Sequence, residues 1–120
     1  MKVAVTTTGK NLDAPFEYRF GRAPGFIIYD TDEKSFEIID NSMNLKAAQG
    51  AGIQAAKDIV KSGATALITG HCGPKAFQIL SQKGVQIYNA KVENVAEAVE
   101  FFVEGKLTPL KSPDVGGRWR

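Results

Sequence analysis

Cysteine and histidine are nearly missing from these 120 residues: there is one of each, and they are neighbours, His71 and Cys72. A single cysteine excludes an internal disulfide. It also excludes a zinc or iron–sulfur site built from several thiolates of one chain. Long apolar runs are missing too, and no window approaches the run of about 20 apolar residues that a membrane span requires. The opening Met1-Lys2-Val3-Ala4-Val5-Thr6 is too short an apolar run for a signal peptide and lacks a small-residue cleavage site. Neither end carries a lipidation pattern. A lone thiol without an export signal fits a reducing compartment, so a cytoplasmic location is expected. Nor is there an excess of one charge, because 15 Lys and Arg stand against 13 Asp and Glu. That balance gives no ground for nucleic-acid or membrane binding.

What remains is an ordinary globular composition, 43% hydrophobic, in a chain long enough for one core. Residues 2–8, 25–30, 35–40, 65–69 and 85–88 read as strands. The second and third strands are joined by the short Thr31-Asp32-Glu33-Lys34 turn, which makes them an antiparallel hairpin. The continuous apolar run at 65–69 is the pattern of a strand buried on both faces of a parallel sheet. Helical spacing appears in Gly52, Ile53, Ala56, Ile59, Val60 and Gly63, again after Pro74, and from about Val92 to Glu104. Gly63, Gly84 and Gly105 end the three helices. A long polar loop fills Gly9 to about Ala23.

The order β-β-β-α-β-α-β-α predicts one α/β domain over residues 1–107. It has a mixed five-stranded sheet in the order 3-2-1-4-5, strand 2 antiparallel, helices on both faces: the ribonuclease H-like arrangement. Residues 108–120, rich in Pro, Gly and Lys, read as a surface tail, flexible or docked on its own domain. Arg118-Trp119-Arg120 at its end can touch a partner or nucleic acid, but the favoured reading is a loose tail or one docked on its own domain.

In an open α/β sheet, ligands bind beyond the carboxyl ends of the strands where the chain order reverses. Here that point lies between strands 1 and 4. Thr8 and Gly9 leave strand 1 there, Gly50 opens the first helix, and Gly70-His71-Cys72-Gly73-Pro74 leaves strand 4. Pro74 suits the first position of a helix. The unpaired N–H groups of that helix start favour an anion and lower the pKa of a thiol placed there. Imidazole and thiolate are both good ligands for a soft or borderline metal. Gly70 and Gly73 let a ligand approach the backbone. Arg19, Arg22 and Lys10 stand in the long loop at the same edge and can hold an anion. Each residue also has a plainer reading: Cys72 as a small buried hydrophobe, His71 as a hydrogen-bonded surface group, the cations as solvated charge.

Enzyme readings fail on composition. A ribonuclease H-type nuclease needs a carboxylate cluster on the sheet for two metals, and Lys2 to Thr8 holds no Asp or Glu. Adjacent side chains usually diverge, so His71 is a poor base for Cys72. No Walker A loop or dinucleotide fingerprint is present.

Several segments carry a family resemblance. Phe20-Gly21-Arg22-Ala23 is followed by Phe26-Ile27-Ile28-Tyr29-Asp30, and Gly50 to Ala56 opens the first helix. Gly70-His71-Cys72-Gly73-Pro74-Lys75-Ala76-Phe77 follows in strand-to-helix context, and then Val95 to Leu107. Together they resemble the dinitrogenase iron-molybdenum cofactor biosynthesis family, which includes nitrogenase accessory carriers and the C-terminal domain of the cofactor-assembly radical enzyme. The resemblance covers about residues 1–110. It implies a ribonuclease H-like fold and a non-enzymatic carrier for an iron–sulfur or molybdenum-containing cluster. It also implies partners that donate and accept the cluster. On this reading His71 and Cys72 are metal ligands, with Thr8, Gly9, Arg19, Arg22, Gly50, Gly70 and Gly73 as the anion-holding shell. Many members carry His where this chain has Arg19, so either a ligand is missing or charge pairing replaces it. One Cys and one His cannot fill a four-ligand site. Inorganic sulfide and water must complete it, or two chains of a homodimer must share it. The alternative is a metal-free module for a small anionic metabolite or a partner protein.

Overall fold

The structure, a computed structural model, describes residues 1–45 and 51–112. Five strands form one sheet: β1 (Lys2–Thr7), β2 (Gly25–Asp30), β3 (Ser35–Asp40), β4 (Ala66–Thr69) and β5 (Gln86–Asn89). Their spatial order is β3-β2-β1-β4-β5, with β2 antiparallel to β1 and β3, and β4 parallel to β1 and β5. Order and sense agree with the sequence expectation. The helices are α1 (Ser42–Leu45), α2 (Ala51–Lys61), α3 (Pro74–Gln82) and α4 (Val95–Val103).

The sheet buries both faces because its central strands are apolar on both. On one side Ala4, Ile28, Leu67 and Ile87 pack with Ala55, Ala56 and Ile59 of α2 and with Ala76 and Leu80 of α3. On the other, Val3, Val5, Ile27, Ala66 and Ile68 meet Val95, Ala98 and Val99 of α4. All four residues of β4 are buried, as a strand between parallel and covered neighbours must be. The hairpin turn is fixed by Asp30, whose carboxylate accepts the N–H groups of Asp32 and Glu33. Those backbone donors, Glu33 first, hold its pKa below the ordinary carboxylate value.

Boundaries moved where side chains cap the backbone. The last helix starts at Val95, not near Val92, because Asn94 is its N-cap and accepts the Glu97 N–H at 2.8 Å. The Glu97 carboxylate in turn accepts the Glu93 N–H, and the Glu93 carbonyl accepts from Phe16. Asn94→Ala is therefore expected to cost about 1 kcal/mol, measured by denaturant unfolding. The single turn α1 was not foreseen. It is anchored by buried Asn41, whose side chain donates to the Ala23 carbonyl at 2.8 Å. Of the expected tail, Pro109 bridges Tyr88 and Leu110 donates its N–H to Ile87, so the chain docks along β5. Residues 113–120 and Gly50 lie outside the described residues.

The long loop departs most from expectation. It is not a loose polar excursion. Residues 14–20 fold back across the carboxyl ends of β1 and β4, and a 3-10 turn over Phe20–Arg22 leads into β2.

Candidate functional site

Threonines hold that segment down. Thr6 and Thr7 end β1 and Thr69 ends β4, and all three are fully buried. A buried hydroxyl needs a partner, and a strap crossing a sheet edge has carbonyls to satisfy. The Thr6 hydroxyl donates to the Glu17 carbonyl at 2.6 Å, and Thr7 donates to that of Pro15 at 2.7 Å. Thr69 donates to the Tyr18 carbonyl at 3.4 Å. The same Tyr18 carbonyl accepts the N–H groups of Gly70 and His71, both at 2.8 Å. Phe20 N–H donates to the His71 carbonyl at 2.9 Å. Arg19 thus runs parallel to His71 as a short bridge. Asn89 of β5 donates its amide to the Gly70 carbonyl, fixing the exit of β4 from the other side.

The strap covers the strand ends and opens a cavity to its side. The cavity, about 490 Å³, lies between the 3-10 turn, the start of α2 and the start of α3. Phe20, Ile53, Pro74 and Ala76 give it an apolar lining, with Gly21, Gly52 and Gly73 between them. Arg19, Arg22, Lys75 and His71 supply its polar groups, and no Asp or Glu among the described residues lines it. In a chain with nearly equal numbers of both charges, three cations without a carboxylate are a local asymmetry. Arg19 is partly offset by Glu17 at 3.6 Å; among the described residues no carboxylate pairs with Arg22 or Lys75. Gly73 is the N-cap of α3, Pro74 follows it, and no side chain caps the helix. The first-turn N–H groups and the helix dipole add to the positive potential. A cavity of similar size lies across the strap, but Glu93 and Glu97 line it beside Lys91.

The sequence-predicted residues divide. Arg19, Arg22, His71 and Gly73 line the cavity together. His71 is partly exposed there, with its Nδ1 sealed from solvent. Cys72 does not line it. Its side chain is fully buried in the core cluster with Ala4, Phe20, Ala55 and Leu80. Gly70 does not offer its backbone to a ligand either: the Tyr18 ring lies over it, and a Cβ there would come within 2.0 Å of the ring. Thr8 and Gly9 are turned away as well. The Thr8 N–H donates to Pro15, and a Cβ on Gly9 would meet that of Ala14 at 2.5 Å. Lys10 is absent from the lining. Sequence reasoning missed Lys75, although a cation in the first turn of a helix, where acids are favoured, was a readable signal. It also missed Ile53 and Phe20 as lining. Among the described residues, no three of His, Cys, Asp and Glu gather as a metal-ligand set.

Comparison with known proteins agrees with this frame. Residues 1–105 match the family described as dinitrogenase iron-molybdenum cofactor. The chain is similar to the orange protein of Desulfovibrio gigas, solved in its apo form. The two share 38% identity over 95% of this chain and 96% of that one, with a TM-score of 0.92. A Thermotoga protein provisionally named NifB shares 34% identity over 97% and 98% of the two chains, with a TM-score of 0.84. An uncharacterized protein of Methanocaldococcus jannaschii is 32% identical over 110 residues, 89% of each chain. Matched along nearly its whole described length, the chain belongs to the dinitrogenase iron-molybdenum cofactor family.

Proposed function

We propose that this protein is a small cytoplasmic, non-enzymatic carrier on a ribonuclease H-like frame. Its cargo is an anionic iron–sulfur or molybdenum-containing cluster, received from one assembly protein and passed to another. The observation that carries this reading is the cavity itself: Arg19, Arg22 and Lys75 surround an apolar floor at an uncapped helix start, with no carboxylate among the described residues. Such a lining suits a polarizable anion of low charge density better than a bare metal ion, which would need the ligand set that the described residues lack. Arg22 and Lys75 supply charge and N–H donors, the first turn of α3 supplies backbone donors, and His71 supplies the one available imidazole. Family membership supports a cofactor-related cargo. The orange protein adds to this, since an apo form is by definition a protein lacking a group that it can bind.

On this reading Cys72 is a core residue, and the cargo is held by charge and hydrogen bonds. Anaerobic reconstitution with iron and sulfide, with and without molybdate, is expected to give visible absorbance that co-elutes with the protein. Cys72→Ala is expected to retain that absorbance while losing about 1 kcal/mol of stability. Loss of the chromophore in Cys72→Ala, with the fold intact, would return the thiol to the ligand set. The same three cations also favour a metal-free anionic metabolite. A thermal shift with such an anion, and no chromophore, would select that second reading.

A further inference from the structure

The two edges of the sheet end differently. Along β5, Pro109 and Leu110 close the outer side through the bridge to Tyr88 and the bond to Ile87. Along β3, no described segment pairs with the outer side. β3 is six residues long and holds no proline. Its side chains alternate: Phe36 and Ile38, 40% and 43% exposed, lie on one face, and Glu37 lies on the other. A strand edge with unpaired backbone and exposed apolar side chains is a template for another strand.

We propose that this edge receives the Arg118-Trp119-Arg120 segment of a second copy of the chain as an added strand. The alternation fits. In an extended segment Trp119 points to one face and both arginines to the other. With Trp119 opposite Phe36 or Ile38, one arginine stands opposite Glu37 in either strand direction. Cross-strand aromatic–aliphatic and opposite-charge pairs both stabilise such pairing.

Two other occupants fit less well. In a symmetric β3–β3 pair, residues opposite each other share a face. The two-fold register that joins Phe36 to Ile38 sets Glu37 directly against Glu37, which is repulsive, and the registers centred on Phe36 or on Ile38 avoid that clash but bring no opposite charges together. The tail of the same chain does not reach. Leu110 sits outside β5, and the outer side of β3 is six strand spacings away, about 29 Å. The nine residues from Leu110 to Trp119 span about 31 Å when fully extended, which leaves no length for the detour around the helices. A tail-to-edge contact exchanged reciprocally closes as a two-fold dimer, and one made head-to-tail runs on into longer assemblies or rings.

Trp119 is the chain's one tryptophan, so its emission reports this contact directly. The 120-residue chain is to be diluted while Trp emission and mass by light scattering are followed. The expected result is blue-shifted emission and a mass above 13.0 kDa at high concentration, both reverting on dilution. Ile38→Lys is expected to abolish both. Arg118→Glu with Arg120→Glu, which leaves the sequence of every strand unchanged, gives the same loss should the strand variant not fold. Emission and mass that stay constant on dilution would overturn the proposal, and so would a shift that survives both variants.

Discussion

Arg22→Glu is expected to strip the protein of an anionic cargo, lowering affinity by about a hundredfold or more. Arg22 lines the cavity and pairs with no carboxylate among the described residues, so its charge is available to a ligand. Losing one charge-assisted hydrogen bond costs about 1.5–3 kcal/mol, which is roughly ten- to a hundredfold in affinity. Reversal adds repulsion at the same place. Arg22→Ala should therefore fall between the wild type and Arg22→Glu. Arg19→Ala should cost less than Arg22→Ala, because Glu17 already offsets Arg19 at 3.6 Å and its side chain is 62% exposed. The measurement is the metal retained per chain after gel filtration, with unchanged thermal unfolding as the control. Equal retention in Arg19→Ala, Arg22→Ala and the wild type would remove charge as the holding force.

Gly70→Val is expected to give the largest loss of stability of any substitution at the site. Even a Cβ would lie 2.0 Å from Cδ1 and 2.5 Å from Cγ of Tyr18. The ring cannot simply retreat with its backbone, because the Tyr18 carbonyl is held by the N–H groups of Gly70 and His71 and by Thr69. Overpacking of this kind costs about 1–3 kcal/mol. For a domain of this size that corresponds to a fall in Tm of about 10 °C. Amides of residues 14–20 should also exchange faster, since the strap is what the collision displaces. Gly21→Ala is the control: a Cβ there meets none of the described residues within 4 Å, and stability should change by less than about 0.5 kcal/mol.

The strands and helices were legible in the sequence because each reports its own periodicity. The alternation in β3 and the unbroken apolar run in β4 each have one geometric solution. The three helix-ending glycines adopt positive φ, as that role requires. The strap was not legible, for a physical reason. Its structure comes from hydroxyls of Thr6, Thr7 and Thr69, and Thr69 lies 51 residues from the Tyr18 carbonyl it serves. A threonine in a strand looks the same in sequence whether it bonds a strap or faces water.

The site divided along the same line. His71 and Cys72 are adjacent, and adjacency suggested that they act together. At the exit of β4 the chain instead turns one side chain toward the cavity and the other into the core. Arg19, Arg22 and Gly73 line one cavity because the strand order alone brings their segments to one edge. Gly70 was identified as special, and it is, but the group that needs its missing side chain is the Tyr18 ring.

The most direct test of the account is elemental analysis of the full chain purified without oxygen, followed across a salt titration. A cargo held by Arg22, Lys75 and the α3 start predicts metal and acid-labile sulfide in fixed ratio to protein. Both should fall as ionic strength rises and screening shortens the reach of the charges, and Cys72→Ala should follow the same curve. Metal and sulfide at background level, or retention that ignores salt and vanishes with Cys72, would contradict it.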